Sequence, residues 1–284
     1  MKYFLSFASS PMRRSLNRIA AQAKSLNFYD RLFLFDESDL DKYFSAKFSD
    51  RLVHGSKGFG YWSWKPQAIH QVLEKMQDGD ILQYTDSGCH LNAKGLKRLN
   101  DYFQLAQQSK TGILAFQLKD PDHLLPPPTT GALDLGEYKW VKGDLLDHFG
   151  VRDRLDITHT QTIGAGIIFI RKCAESVAIV DQWRAVVDVS FSFIDDTPSV
   201  SENIEGFIEH RHDQSIFSLL CKLHDVDTIS AYEYWYPSVD GSGPNWDILQ
   251  NFPVHAKRDK DFGVLMNIEM FFQRLISKIK RTLS

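Results

Sequence analysis

Four places along the chain carry residues able to do chemistry. Asp86 ends the apolar run ILQYT and is followed by Ser87 and Gly88. A carboxylate at a strand end, beside a glycine that lets backbone approach a ligand closely, is one way to hold a divalent cation. Turns and caps use aspartate at such places too. His210-Arg211-His212-Asp213-Gln214 opens an apolar helical run. The order HxHD suits a metal site, and Asp213 also suits a helix cap. Lys65 follows Trp62 and Trp64 in GYWSWKP. A flexible ammonium suits a phosphate, and the two indoles suit either a stacked ring or the core. Last, His255 precedes Lys257 and Arg258. A neutral imidazole together with a carboxylate makes a good Mn²⁺ site, and the same hexapeptide also reads as a basic surface turn.

The elements that must position these residues follow from hydrophobic periodicity. Residues 2–8 read as a strand, 12–26 as a helix with Leu16, Ile19, Ala20 and Ala23 on one face, and 31–35 as a second strand. Strand, helix, strand in that order predicts a parallel α/β sheet with a right-handed crossover. A helix is predicted over 66–76 and a strand over 81–84, which puts residues 85–88 at a carboxyl strand end, where open α/β sheets bind ligands. Further helices are predicted over 96–107, 174–187 and 213–223, and strands over 112–117 and 163–170. Residues 120–136, 193–205 and 232–245 read as loops, the first long enough to shape an acceptor site. Residues 263–283 form a basic amphipathic helix, which can lie on an anionic membrane surface or pack on the domain.

Length and composition bound the answer. A chain of 284 residues suits one large α/β domain or two small ones. The absence of repeats and low-complexity linkers favours one, over 1–262, with the basic helix 263–284 appended. A net charge of −3 gives no sign of nucleic-acid binding. Cys89, Cys173 and Cys221 are scattered and odd in number, which argues for a reducing compartment and against a zinc cluster. The N-terminus does not read as a signal peptide, and no uncharged stretch approaches the ~20 apolar residues of a membrane span.

The segment GYWSWKP followed by DGDILQYTDSG resembles the nucleotide-sugar corner of bacterial polysaccharide glycosyltransferases with the GT-A fold, those of O-antigen and capsule type. Asp80 to Gly88 takes the place of their DxD strand. The second carboxylate of DxD is absent here, which leaves its role to Cys89, His90 or a distant ligand. IGAGIIFIRKC looks like the donor-lining strand of glycogenin-like retaining enzymes, with Gly164, Ala165 and Gly166 against the sugar. Asp213-Gln214 resembles their DQ motif beside the transferred sugar, and His255 with Lys257 and Arg258 resembles their C-terminal metal ligand and diphosphate-binding cations. The four matches follow family order from Gly58 to Arg258.

The resemblance implies a GT-A, Rossmann-like mixed sheet flanked by helices, and a retaining transfer of sugar from a nucleoside diphosphate, UDP first, to a surface polysaccharide or lipid-linked glycan. It implies Mn²⁺ or Mg²⁺ on Asp86 and His255. Donor contacts would come from Lys65, Asp86, Ser87, Gly88, Gly164, Ala165, Gly166, Lys257 and Arg258, and sugar contacts from Trp64, Arg211, His212, Asp213 and Gln214. An inverting enzyme would need a general base, for which Asp195, Asp196 and Glu202 lie in a suitable loop. The expected location is the cytoplasm or the inner face of the bacterial inner membrane. Two alternatives stand beside this reading: a non-catalytic glycan- or nucleotide-binding protein of GT-A type, and a metal-dependent hydrolase built on His210, His212 and Asp213.

Overall fold

The computed structural model describes residues 1–121, 123–128, 135–239 and 243–259. The helix predicted over 263–283, parts of the 120–136 loop and residues 240–242 lie outside the described residues. Strands β1 (Lys2–Phe7), β2 (Arg31–Phe35), β3 (Ile81–Thr85), β5 (Ile113–Gln117), β6 (Ile163–Arg171) and β7 (Asp227–Ser230) form one mixed sheet in the order β2-β1-β3-β6-β5-β7. A two-stranded ribbon pairs β4 (His90–Leu91) with β8 (Val254–His255). The first three sheet strands are mutually parallel, β5 and β7 are parallel, and β6 runs antiparallel to both β3 and β5.

Helices cover both faces, so the strands read as apolar runs. One face packs Leu5, Phe7, Leu82 and Ile168 against the helices Trp64–Leu73, Ala174–Val189 and Asp213–Leu223. The other packs Phe4, Ile167 and Phe169 against Arg13–Ser25 and Leu96–Gln108. In β6, Ile163 and Ala165 face the first core, as do Ile168 and Ile170, so the alternation skips a residue between them. The β5–β6 register shifts at the same place, as a bulge requires.

The longer predicted elements agree with the fold within a few residues, and 213–223 matches its helix. The helix expected over 66–76 instead runs Trp64–Leu73, which carries Lys65 into a regular turn. Short helices at Lys42–Lys47, Glu137–Trp140, Gly143–His148 and Leu155–Thr158, and the strands β4, β7 and β8, are additions. Their spans give periodicity too little length to register. Among the described residues no helix is long and apolar enough to cross a membrane.

Trp183, fully buried, packs on Phe217 with ring centroids 4.7 Å apart and joins the helix Ala174–Val189 to the helix that starts at Asp213. Trp183→Ala is expected to remove about 3–5 kcal/mol of stability, read as a lowered urea midpoint.

Candidate functional site

The site is built where β3 ends. Because β6 is antiparallel to β3, its first residues lie beside the last residues of β3, and Thr85 is opposite Ile167. The Asp86 amide then donates to the Gly166 carbonyl at 2.8 Å, which turns the chain and sets the Asp86 side chain over β6. Gly166 makes this approach possible: a Cβ there would lie 3.0 Å from Asp86 Oδ2. Gly164, two residues earlier, is similarly filled, since a Cβ there would lie 2.7 Å from the Tyr234 hydroxyl. The two glycines expected to lie against a sugar therefore first make room for two polar groups of the protein itself.

Beneath Asp86 sits a buried charge cluster. Lys65 is only 2% exposed, and its Nζ lies 2.6 Å from Asp213 Oδ2 and 3.3 Å from Asp86 Oδ1. It donates to the Ala165 carbonyl at 3.0 Å. Tyr84, fully buried, donates its hydroxyl to Asp86 Oδ1 at 2.6 Å. Burial opposes the charge on Lys65, but Asp213 and Asp86 outweigh it and hold its pKa above the ordinary lysine range. Burial raises Asp213 from 3.8 to about 6 against the pull of Lys65, with Asp86 adding to the rise. Since its pKa is raised on folding, the contribution of Asp213 to stability is fully present below 3.8 and is lost as pH rises through about 6.

The HRHDQ segment is held in an unusual backbone. His212 has φ 56° and ψ −125°, in positive-φ territory that a side chain disfavours, and it caps the helix without a side-chain bond. Asp213 is the first helical residue, and its carboxylate turns to Lys65 instead of acting as the N-cap. His210 Nε2 donates to the Phe193 carbonyl at 3.0 Å and His212 Nδ1 to the Ile194 carbonyl at 2.7 Å. Burial lowers the pKa of both, so each imidazole is a neutral prop for the 193–195 loop. Tyr61 and Trp62 pack on the His212 ring at 5.1 and 5.7 Å. They end a run from Gly58 to Trp62 in which every φ is positive. Three of those five residues are not glycine, at a cost of roughly 1–2 kcal/mol each.

The C-terminal cations are brought to the same corner. Asp259 donates its amide to the Gly88 carbonyl at 3.0 Å, and a Cβ on Gly88 would meet Arg258 Cα at 3.5 Å. Arg18 fastens the crossing: its Nη2 donates to the Ser87 carbonyl at 2.8 Å and its Nη1 reaches Asp259 Oδ2 at 2.9 Å. Lys257 Nζ lies 5.5 Å over the Trp246 ring. His255 Nε2 donates to the Leu249 carbonyl at 2.9 Å, and its ring stacks on Trp246 at 5.6 Å. That bond leaves Nδ1 as the lone-pair nitrogen, the arrangement of a metal-ligating imidazole whose other N–H is held by a carbonyl.

The structure thus gathers Lys65, Asp86, Ser87, Gly88, Ala165, Gly166 and Asp213 at the end of β3, with Arg258 crossing Gly88. Other expected contacts go elsewhere. Trp64 is a core residue, stacked on Phe7 at 3.8 Å with its Nε1 donating to the Gly58 carbonyl. Lys65 faces carboxylates in the floor, which takes its ammonium away from a direct phosphate contact. Arg211 lies 4.0 Å over the Trp140 ring and pairs with Glu209. Tyr84 and Arg18 were not singled out from sequence. Tyr84 could have been, since positions two apart on a strand share a side; Arg18 carries no local signal, its partners being 69 and 241 residues away.

Asp86 Oδ2 has no hydrogen-bond donor among the described residues, so one carboxylate oxygen is available to a cation. Among those residues no group of three or more His, Cys, Asp or Glu side chains is arranged to hold a metal. A cation on Asp86 and His255 would need ligand oxygens to complete its shell. In the hydrolase set, His210 and His212 each hold a loop carbonyl through one ring nitrogen and Asp213 pairs with Lys65.

No protein-family model matches the sequence, and no curated protein matches it. Among solved structures, the chain is similar to mouse xyloside xylosyltransferase 1 in its apo form, with TM-score 0.46 and 9% identity over 90% of this chain and 97% of that one. It is similar to a glycosyltransferase involved in glycosylation of the major capsid of PBCV-1, with TM-score 0.45 and 11% identity over 89% and 92%. It is also similar to the galactosyltransferase LgtC in complex with donor and acceptor sugar analogues, with TM-score 0.40 and 11% identity over 90% and 86%. At these scores and identities, function has to be read from the site's own residues.

Removing the cluster's one cation leaves a buried carboxylate unpaired. Lys65→Met is expected to cost about 3–5 kcal/mol at pH 8. The cost shrinks at pH 5, where Asp213 takes a proton and stays neutral. Chemical unfolding of both proteins at the two pH values measures this; an equal loss at both would mean that Asp213 is not ionised in the fold.

Proposed function

We propose that this chain is a glycosyltransferase of GT-A type that moves a sugar from a nucleoside diphosphate, UDP first, to a polysaccharide or lipid-linked glycan, with retention of configuration. The supporting observation is the convergence at the end of β3: Asp86 over Gly166, Asp213 beside it on the shared Lys65 ammonium, and Arg258 crossing Gly88. A cation-lined edge next to a buried anion suits a reaction in which a diphosphate leaves and positive charge grows on the sugar.

In this reading Lys257 and Arg258 face the diphosphate, while the Asp213 carboxylate stabilises the oxocarbenium-like sugar. Lys65 pairs with Asp213 and Asp86 and holds them in place, and Tyr84 orients Asp86. Asp86 and His255 would hold Mn²⁺ or Mg²⁺, which when bound offsets charge on the departing diphosphate. The protein works in the cytoplasm or at the inner face of the membrane, where nucleotide sugars and lipid-linked acceptors meet.

Incubation with a panel of nucleotide sugars and glycan acceptors, with mass spectrometry of products and NMR of the new linkage, tests the proposal. Metal-dependent UDP binding with no turnover of any donor would favour the non-catalytic binding reading, and an inverted linkage would remove the retaining mechanism. Asp213→Asn is expected to lower kcat/KM by about 10²–10³-fold. Wild-type activity should fall as pH drops through about 6, because protonation of Asp213 removes the anion the sugar cation needs.

A further inference from the structure

We infer that Tyr234 is a ligand-binding residue, its hydroxyl donating a hydrogen bond to an anionic phosphate oxygen of the nucleotide donor. This rests on the donor reading proposed above.

Tyr234 lies in a segment that sequence periodicity leaves as loop, yet its placement is tightly fixed. Its backbone carbonyl accepts from the Ala256 amide at 3.0 Å, which joins it to the segment carrying His255, Lys257 and Arg258. Its ring packs edge-on against Phe116 of β5 with centroids 5.3 Å apart. These contacts aim the hydroxyl at β6, where only a glycine could receive it, since a Cβ at Gly164 would lie 2.7 Å away. Having been brought there, the hydroxyl finds no hydrogen-bond partner among the described residues. Tyr234 is only partly buried and its hydroxyl is not among the buried polar atoms, so a ligand can reach it, and packing of the ring alone would be served by phenylalanine.

Its surroundings indicate what it would pair with. Asp86 fills the corresponding space at Gly166, two residues along the same strand, and also has an oxygen left without a donor. Burial raises the pKa of Tyr234, with Cys89 and Asp86 adding to the rise and Arg258 opposing it. The phenol therefore stays protonated and can donate. The Arg258 guanidinium acts on the phenol electrostatically, and a hydroxyl donor together with a guanidinium recognises an anionic oxygen. Phosphate suits this geometry, because Arg258 and the Tyr234 hydroxyl can take different oxygens of one group, leaving others for a cation on Asp86.

The test compares wild type with Tyr234→Phe by calorimetry with UDP and uridine in the presence of Mn²⁺, together with the unliganded thermal midpoint. Loss of a hydrogen bond to a charged oxygen is expected to weaken UDP binding about 10- to 100-fold and to leave uridine binding and the midpoint unchanged. Gly164→Ala, whose methyl displaces the hydroxyl while keeping the tyrosine, is expected to weaken UDP binding likewise. If Tyr234→Phe binds UDP within twofold of wild type, the assignment is overturned and the donor reading stands. If the midpoint drops, a loss confined to UDP still supports the assignment, and an equal loss on uridine overturns it as merely structural. If wild type does not bind UDP, the donor reading itself falls and takes the assignment with it.

Discussion

A single buried ammonium organises the candidate site. Lys65 is reached by two carboxylates and one carbonyl from three distant parts of the chain. Lys65 and Asp213 are both buried, and burying either charge alone would be strongly unfavourable, so each is tolerated only where the other is present. The helix Trp64–Leu73 must therefore deliver the lysine, β3 must end at Asp86, and the last long helix must begin at Asp213. The ordering of rings and backbone nearby serves the same end. Strained residues at Phe59, Tyr61, Trp62 and His212 flank Lys65 and Asp213 in sequence, and Tyr61 and Trp62 pack on His212.

The second organising feature is the direction of β6. Had it run parallel to β3, its glycines would lie at the far end of the sheet. Its reversal sets Gly164 and Gly166 beside Asp86, and the missing side chains become the seats of a carboxylate and a phenol. Residues 254–259 then close the corner from outside, held by the β4–β8 ribbon and by Arg18. The site is thus a meeting of a strand end, a strand start, a helix start and a crossing segment.

Much of this frame was legible in sequence because periodicity reports which face of a long element is buried. The helix 213–223 and the strands around Ile81 and Ile167 follow directly from it. Asp86 and Asp213 were found because each sits where an apolar run begins or ends. What sequence could not provide were relations across distance. Nothing local to Lys65 says that its charge turns inward, nothing in GYWSWKP separates the buried Trp64 from the packed edge at Trp62, and nothing near Arg18 points to residue 259. The β6 bulge was equally hidden, since IGAGIIFI reads as a uniform apolar strand whether or not its alternation skips a residue.

The crossing of residues 254–259 over Gly88 has a temporal side. A ribosome delivers Lys65 and Asp86 first, Asp213 much later, and the clasp to Arg18 later still. Contacts spanning 241 residues form slowly, because a long loop must be closed before they reward it. Until Asp213 arrives, Lys65 has only Asp86, at the strand end, to answer its charge. The cluster therefore cannot be complete before Asp213 is made, and the corner that would grip a nucleotide comes into being only as the segment ending at Asp259 locks across the front.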